Sequence, residues 1–505
     1  MAVQKPSIPK GTRDFSPEQV AKRKYILTTI EKVFIKYGFM PIETPTMENL
    51  TTLTGKYGDE GDKLLFKVLN SGDYLKELKE FNDKGMDHEE MDKTFLPSYT
   101  GKLSDLDSKA SIPFISEKGL RYDLTVPFAR YVVMHQNEIT FPFKRYQMQP
   151  VWRADRPQKG RYREFWQCDA DVVGSDSLLN ELDLIQIYDE AFRELGIGNY
   201  ELRINNRKIL AGIAEVVKGI EHMNTIAVAI DKLDKIGEEG VAKELLLSRF
   251  LENEIQKLFE IINIKGDQIS QLFSLKEKLK SSQEGIKGIE ELEFIFKSFD
   301  SLLDSARSDN KQINSSTVSS SGVVNYSTNK QLNLKIDFSL ARGLSYYTGS
   351  IFEVVSTEGS LKSSIGGGGR YDNLTGIFGL PNVSGVGISF GLDRIYDVME
   401  ELNLFPPTIK SSNTKVLFCC FDNASQQYAL GCLKKLRDAN IPSEIYPDIK
   451  KVGKQLDYAN ALKIPFACIV GENEMQTGKL VLKDLHLGTQ ENFSVDEIIK
   501  KIITL

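Results

Sequence analysis

A basic segment between two stretches of alternating residues constrains the fold more than any other feature of the sequence. Residues 151–167 read VWRADRPQKGRYREFWQ and contain five Arg or Lys residues around one proline and one glycine. From about residue 144 to residue 174, polar and apolar residues alternate on both sides of this segment, which is typical of half-buried β-strands. The pattern therefore predicts a β-hairpin with a basic tip.

Side chains two positions apart in a strand lie on the same face of a sheet. One face of the predicted hairpin carries Arg145, Gln147, Gln149, Arg153, Arg161, Arg163, Phe165, Gln167, Asp169 and Asp171. Such a face is either simply solvated or a binding surface. Its order favours binding, because phosphate-pairing guanidiniums lie nearest the tip, a ring that can stack on a base follows, and an amide and carboxylates lie deepest. A nucleotide with an amino acid beyond it would meet these groups in that order.

The overall composition limits the classes of function that the chain can have. Its 505 residues are enough for about three domains, and no apolar run approaches the roughly 20 residues that span a bilayer. Five cysteines without a CxxC pair argue against a disulfide framework and predict a reducing compartment, the cytoplasm by default. The scattered histidines predict no structural zinc. The net charge of −6 indicates no global affinity for nucleic acid, but it is compatible with a local basic surface.

Changes in pattern along the chain predict its organisation. The segments are residues 1–204 with helix and strand patterns, 205–330 with helical periodicity, 331–404 with strand patterns, a linker over 405–413, and 414–505 with alternating strands and helices. The last segment predicts a small α/β domain with a largely parallel sheet. A Lys-, Glu-, Asp- and Ser-rich stretch over 70–112 predicts a solvated insertion, and GENEMQTGKL from Gly471 predicts a strand, a turn and a strand.

Six motifs of the sequence resemble those of one enzyme family. The stretch FKRYQMQPVWRADRPQKGRYREFWQCDADVVG resembles motif 2 of the class II aminoacyl-tRNA synthetases, and of the histidyl-tRNA synthetases in particular. GTRDF and YGFMPIETP are similar to that family's N-terminal signature and motif 1. RYDLTVPFAR, LARGLSYYTGSIFEV and GVGISFGLDRI resemble its histidine-binding strand, its signature loop and motif 3. These matches follow the family's order and bracket residues 11–400.

The resemblance implies an α+β fold, in which helices flank a class II antiparallel sheet formed by residues 1–204 and 331–404. Residues 205–330 would be a mainly helical insertion domain, and residues 414–505 an α/β anticodon-binding domain. The implied activity is ATP-dependent ligation of L-histidine to tRNA(His) through a histidyl-adenylate, with release of AMP and diphosphate. Motif 1 implies a homodimer, and neither the family nor the sequence implies a membrane partner.

The same resemblance assigns roles around ATP. Arg153 and Arg342 would be catalytic and would contact the α-phosphate from two sides. Arg161 would hold the distal phosphates, and Phe165 and Arg394 would sandwich the adenine ring. Mg²⁺ would be bound mainly through the ATP phosphates, without dedicated protein ligands.

The resemblance also assigns the contacts to the other two substrates. Histidine would be bound by Asp123, Thr125, Gln167, Asp171, Arg342, Tyr346 and Tyr347, of which Asp123 and Thr125 would hold the α-amino group. The acceptor end of tRNA would meet Arg156, Gln158 and Lys159 at the tip of the hairpin.

Several of these features also have simpler interpretations. Arg394 alone fits a surface arginine paired with Asp393 or Asp397, the tyrosine pair fits a packed strand, and the run GGGGRYD fits a plain loop. At the level of function, the regulatory subunit of ATP phosphoribosyltransferase shares the synthetase catalytic fold, but it lacks the anticodon-binding domain and usually the catalytic arginines. A threonine or proline synthetase is a further alternative, although no zinc-ligand set or editing region is visible.

Overall fold

The computed structural model describes residues 5–54, 64–76, 112, 115–313, 333–341, 346–361, 363–409 and 412–504, without the side chains of 303–313. Contacts divide the chain into two compact units. The first comprises Met1–Arg13 and Ile26–Leu404, and the second Asp14–Tyr25 and Phe405–Leu505. Most of the insertion predicted at 70–112 lies outside the described residues. No described helix is both long and apolar enough to cross a bilayer.

Two sheets form the framework of the first unit. Its strands are β1 (Met40–Pro41), β2 (Met47–Asn49), β3 (Phe66–Val68), β4 (Lys118–Leu120), β5 (Phe143–Trp152), β6 (Glu164–Val173), β7 (Tyr200–Asn206), β8 (Leu334–Ile336), β9 (Ser350–Ser356), β10 (Gly366–Tyr371) and β11 (Gly385–Gly391). The larger sheet has the order β1-β5-β6-β11-β10-β9-β7-β8, and the smaller one has the order β2-β4-β3. Only the outermost pairs of the larger sheet, β1 with β5 and β7 with β8, are parallel.

The α-helices described between residues 17 and 401 are α1 (Pro17–Lys36), α2 (Leu50–Leu53), α3 (Thr125–Met134), α4 (Leu179–Glu194), α5 (Arg207–Val217), α6 (Met223–Ile230), α7 (Leu233–Leu247), α8 (Glu252–Ile262), α9 (Gln268–Lys278), α10 (Gln283–Ile313) and α11 (Leu392–Glu401). Helix α1 belongs to both units, since its residues up to Tyr25 are part of the second unit and those from Ile26 onward are part of the first. Helix α1 begins with a reciprocal cap, in which the Ser16 amide donates to Gln19 Oε1 at 2.8 Å and the Gln19 amide donates to Ser16 Oγ at 3.4 Å. Just past its end, Gly38 adopts a φ of +81°, which suits a helix stop.

The predicted hairpin is confirmed. Strands β5 and β6 pair antiparallel, with Arg145 opposite Asp171 and Gln147 opposite Asp169. The predicted polar residues of both strands therefore share one face of the sheet. The opposite face packs against helices, because the Phe34 ring of α1 lies 5.8 Å from the Phe390 ring of β11, centroid to centroid. One face is thus held in the core and the other can form a cleft.

Helices α5–α10 occupy the described part of the segment predicted to be helical. They are joined to the larger sheet at the end of β7, where Asn206 Nδ2 donates to Glu291 Oε2 of α10 at 2.6 Å. Helices α5 and α10 cross in close contact at Gly212 and Gly285. A Cβ atom added at Gly212 would lie 2.6 Å from the Gly285 Cα atom, so the crossing requires glycine.

The second unit contains a five-stranded sheet. Its elements are β12 (Val416–Cys420), α12 (Asn423–Asp438), β13 (Ser443–Ile445), α13 (Val452–Ala461), β14 (Phe466–Val470), α14 (Glu472–Thr477), β15 (Leu480–Asp484), β16 (Gln490–Phe493) and α15 (Val495–Ile503). Strands β13, β12 and β14 are parallel, as predicted, and β15 and β16 add two antiparallel strands. The prediction for GENEMQTGKL was wrong, because a helix capped by Glu474 stands where a turn was expected.

A buried ion pair joins α4 to the larger sheet. Arg370 of β10 donates from Nε and Nη2 to the two carboxylate oxygens of Glu181, both at 2.6 Å, and both side chains are almost fully buried. Burial raises the pKa of Glu181, and the bonds from Arg370 oppose that shift. A buried pair of this kind is far more sensitive to the loss of one partner than an exposed pair.

We expect Glu181→Gln to lower the free energy of unfolding by about 3–5 kcal/mol, since the variant leaves the buried Arg370 charge with only a more distant acidic neighbour, Asp372 Oδ1 at 3.9 Å from Nη1. Chemical denaturation measures this loss. The control is Lys297→Ala, which removes a well-exposed partner of Glu293 within α10 and should cost about 0.5 kcal/mol or less. Equal losses for the two variants would contradict the assignment of a structural role to the buried pair.

Candidate active site

A cleft lies on the polar face of the larger sheet. It has a volume of about 700 Å³, and residues of the hairpin tip and of the connection between β9 and β10 form part of its lining. Eight of the residues predicted to bind substrates line it: Arg153, Gln158, Lys159, Arg161, Phe165, Gln167, Tyr347 and Arg394. These residues come from three separate sequence motifs, and the fold brings them together in one cleft.

Two arginines of the hairpin line the cleft, and they have different hydrogen-bond partners. Arg153 Nε donates to the Tyr122 carbonyl at 3.0 Å, and its Cζ atom lies 5.1 Å from the centroid of the Phe165 ring. Arg161 instead forms a bidentate pair with Asp155, with bonds of 3.0 and 2.8 Å, although half of its side chain is exposed. A phosphate that binds Arg161 must therefore compete with the Asp155 carboxylate.

Arg394 is held across the mouth of the cleft. It donates from Nε to the Gly160 carbonyl at the hairpin tip at 2.8 Å, and from Nη1 to the Ser364 carbonyl at 2.6 Å. Its two acidic neighbours on α11 have partners elsewhere, since Asp393 accepts a bond from the Trp166 amide and Asp397 accepts one from the Tyr162 hydroxyl. Arg394 thus belongs to the cleft lining.

Buried carboxylates lie beneath the deep end of the cleft. Asp171 Oδ2 lies 2.7 Å from Arg145 Nη2, and Asp171 Oδ1 accepts a 2.6 Å bond from the Tyr371 hydroxyl. Asp123 is also buried, and its Oδ1 accepts a bond from the Val126 amide in the first turn of α3. Asp171 is therefore already paired within the protein, and it does not line the cleft.

Asp169 is a buried carboxylate of the predicted binding face, to which the family resemblance assigned no individual role. It lies beneath the cleft floor beside Ser389, whose Oγ accepts a 2.9 Å bond from Gln167 Nε2. Burial raises the pKa of Asp169 to about 7; the Arg145 charge opposes this shift, and the charge of Asp171 adds to it. The strand alternation predicted the face of the sheet on which Asp169 lies, but only the structure shows that its side chain is buried.

The two tyrosines and Thr125 border this acidic region. The rings of Tyr346 and Tyr347 lie 4.9 Å apart, centroid to centroid, and meet edge to face. Burial raises the pKa of Tyr347, and the charges of Asp171, Asp169 and Asp123 act in the same direction. Thr125 is half-buried at the first position of α3. Gly369, in the glycine run, lies against Tyr347 so closely that an added Cβ would be 2.9 Å from the ring.

The residues predicted to meet tRNA are exposed at the hairpin tip. Arg156, Gln158 and Lys159 all lie on the surface, and the last two also line the cleft. Lys159 Nζ donates to Ser360 Oγ at 2.8 Å, which joins the tip to the β9–β10 connection. Arg342 lies outside the described residues.

The sequence patterns did not identify three further residues of the cleft region. Lys235 of α7 and the buried Glu353 of β9 line the cleft, and Arg13 of the GTRDF motif contacts α11. Only the pairing of distant segments reveals them. As for metals, no group of three or more His, Cys, Asp or Glu side chains in the described part of the chain is placed to hold an ion.

Comparisons with known proteins identify the family of the chain. A family model described as histidyl-tRNA synthetase matches residues 102–395, and one described as an anticodon-binding domain matches residues 413–505. A histidine--tRNA ligase of Christiangramia forsetii is 52% identical over 97% of both chains. The chain belongs to the histidyl-tRNA synthetase family.

Other members of this family match over nearly the whole length. A histidine--tRNA ligase of Cytophaga hutchinsonii is 50% identical over 99% of this chain and 100% of that protein. The crystal structure of histidyl-tRNA synthetase from Nostoc sp. PCC 7120 superposes with a TM-score of 0.74 at 28% identity, covering 99% of this chain and 100% of that one. The α+β fold with a C-terminal anticodon-binding domain, predicted from the motifs, is confirmed.

Asp169→Asn should change how stability depends on pH. Because the native carboxyl has a pKa near 7 and an unfolded Asp titrates near about 4, the native state binds the extra proton between these values. Wild-type stability is therefore lost as the pH rises from about 4 to about 7, and the variant lacks this component. Thermal unfolding measured from pH 4 to pH 8 should show that the stability of the variant relative to the wild type increases as the pH rises. Parallel curves for the two proteins would contradict an enclosed Asp169.

Proposed function

We propose that the chain ligates L-histidine to tRNA(His) in the cleft described above, using ATP and passing through a histidyl-adenylate. One observation carries this proposal: arginines of the hairpin line one end of the cleft, and at the other end buried carboxylates lie beneath its floor on the same face of the sheet. The first end suits a triphosphate, and the second suits an ammonium and an imidazole. The cytoplasm, where tRNA is charged, is the compartment we propose.

In the first step the histidine carboxylate attacks the α-phosphorus of ATP, a bond forms between them, and diphosphate leaves. Because both reactants are anionic, alignment and charge neutralisation supply most of the rate, and no protein nucleophile is required. We assign this neutralisation to Arg153 and Arg342, and the holding of the distal phosphates to Arg161. Magnesium, carried by the phosphates, supplies further positive charge when bound.

Phe165 and Arg394 are proposed to enclose the adenine ring. Both line the cleft, and the carbonyl bonds from Arg394 to Gly160 and Ser364 hold its guanidinium at the mouth. A planar guanidinium and an aromatic ring each stack on a purine, so the two side chains form a suitable slot.

Histidine is proposed to bind at the acidic end of the cleft. Asp123 and Thr125 would hold the α-amino group, and Gln167, Asp171, Tyr346 and Tyr347 would surround the rest of the molecule. An apolar amino acid in this place would leave buried polar groups unpaired, at a cost of several kcal/mol. Asp171 acts in this arrangement together with Arg145 and Tyr371, which already hold its oxygens.

The acceptor end of tRNA is proposed to reach the cleft from the hairpin tip. The exposed Arg156, Gln158 and Lys159 support this direction, since phosphate contacts position a nucleic acid before bases are read. We assign residues 1–204 and 331–404 to a catalytic domain, 205–330 to an insertion domain and 414–505, after a linker at 405–413, to the anticodon-binding domain. A regulatory subunit without that last domain would not account for the match at 413–505.

Pyrophosphate exchange into ATP, measured with each amino acid separately, tests the function. We expect exchange with histidine only. Arg342→Ala should reduce the rate of that exchange at least 100-fold, because one preorganised donor typically stabilises the transition state by about 3 kcal/mol. The affinity for histidine should stay within a few-fold of the wild type, because this donor acts on the transition state. No exchange with any amino acid would exclude the enzyme, and exchange with threonine or proline alone would move the assignment.

We further propose that the chain is a homodimer joined through motif 1. Three apolar side chains of this region, Ile35, Met40 and Met47, are each more than half exposed, and β1, which carries Met40, is an edge strand of the larger sheet. Exposed apolar side chains beside an unpaired strand edge are typical of an interface.

Met40→Asp combined with Met47→Asp should convert the dimer to a monomer, because two carboxylates would have to be buried without partners. Light scattering after size-exclusion chromatography measures the mass. Leu247→Asp, at an 85% exposed position on α7, is the control and should leave the mass unchanged. A double variant that remains dimeric would place the interface elsewhere.

A further inference from the structure

The GTRDF motif has no part in the function proposed so far, yet its arginine lies beside the cleft. The Arg13 Cζ atom lies 3.4 Å from the centroid of the Tyr162 ring, a stacked arrangement at the hairpin tip. Arg13 Nη2 pairs closely with Asp393 Oδ1, and Nη1 lies 3.9 Å from Asp397 Oδ1. Arg13 thus joins the N-terminal segment to the hairpin and to helix α11.

The carboxylate of Asp393 connects the two sides of the proposed adenine slot. Its Oδ2 accepts a 2.9 Å bond from the backbone amide of Trp166, which follows Phe165 in β6. Asp393 itself precedes Arg394 in α11. One side chain therefore fixes the backbone next to Phe165 relative to the backbone next to Arg394, and the spacing between these two side chains depends on it.

Arg13 compensates the charge of this connecting carboxylate. The Asp393 side chain is only 4% exposed, so an ionised carboxylate there needs a positive partner as well as hydrogen bonds. Without Arg13, the buried carboxylate would lose this partner and would gain from moving toward water. Such a movement would weaken its bond to the Trp166 amide and loosen β6 from α11.

Backbone geometry holds Arg13 in place. Gly11 has a φ of +91°, and its carbonyl accepts a 2.9 Å bond from the Arg163 amide. A Cβ atom added at Gly11 would lie 2.8 Å from Pro157 Cγ, so the N-terminal segment can follow the hairpin tip this closely only with glycine. A second hydrogen bond also joins the hairpin tip to helix α11, since the Tyr162 hydroxyl donates to Asp397 Oδ2 at 2.9 Å.

We propose that Arg13 is a positioning residue that sets the width of the adenine slot between Phe165 and Arg394 by holding Asp393. Arg13 is not assigned a contact with ATP. Its effect passes through Asp393, and it concerns the purine end of the nucleotide rather than the phosphates or the amino acid. The inference rests on the proposed function, because it takes the slot to be the adenine site.

The experiment measures KM for ATP and for histidine in pyrophosphate exchange, together with inhibition by inorganic tripolyphosphate. For Arg13→Ala we expect at least a tenfold rise in KM for ATP, a KM for histidine within twofold of wild type, and unchanged inhibition by tripolyphosphate. Arg13→Lys retains the charge but loses the planar stacking, and a rise of about two- to fourfold is expected.

Arg130→Ala is the matched control. Arg130 also pairs bidentately with a buried carboxylate, Glu48, at 2.7 and 3.0 Å, and its exposure resembles that of Arg13. This control should lose stability while its KM for ATP stays within twofold. If Arg13→Ala does not fold, Arg13→Lys decides the question, since a selective rise for ATP supports the proposal.

Two results would overturn the positioning role. One is an unchanged KM for ATP in a folded Arg13 variant; the other is an equal rise for ATP and histidine, which would indicate a merely structural residue. Failure of the proposed function is distinguishable from both, because the wild type itself would then show no exchange with histidine.

Discussion

The register between strands β5, β6 and β11 is the constraint on which the site depends. Because side chains alternate between the faces of a strand, a shift of one residue would move every cleft residue of β6 to the helix-packed side. The ion pair between Arg145 of β5 and Asp171 of β6 stabilises this register from within the sheet. The aromatic packing of Phe34 against Phe390 holds it from the other face. The arginines and carboxylates of the cleft act together only as long as this register holds.

Glycine gives the acidic end of the site its depth. Opposite Asp171 on β11 stands Gly387, where any side chain would collide with the carboxylate, and Gly369 leaves room for the Tyr347 ring. The run of four glycines, for which a plain loop was the simpler interpretation of the sequence, is part of a central strand, β10, paired on both sides. Because these glycines have no side chains, the Tyr347 ring can approach the backbone of β10 and the Asp171 carboxylate can approach the backbone of β11.

The sequence predicted the parts of the structure that depend on local pattern. The hairpin, its two faces, the capped start of α1 and the parallel strands of the second unit all follow from alternation, capping and spacing over a few residues. The prediction failed at GENEMQTGKL, where Glu474 caps a short helix that a turn-rich composition concealed. Arg13 and Asp393 are 380 residues apart, and no local pattern joins them. The enclosure of Asp169 likewise depends on neighbours from several strands, so alternation could give its direction but not its depth.

Under the role proposed for Arg161, which is to hold the distal phosphates of ATP, its bidentate pair with Asp155 would have a consequence for turnover. A guanidinium that already has an internal counter-ion exchanges one anion for another when a phosphate arrives, so the net gain on binding is smaller than for an unpaired arginine. The same exchange runs in reverse when a diphosphate departs, because the carboxylate six residues away can take back the guanidinium. Such a built-in competitor weakens the grip on the leaving group and thereby favours its release.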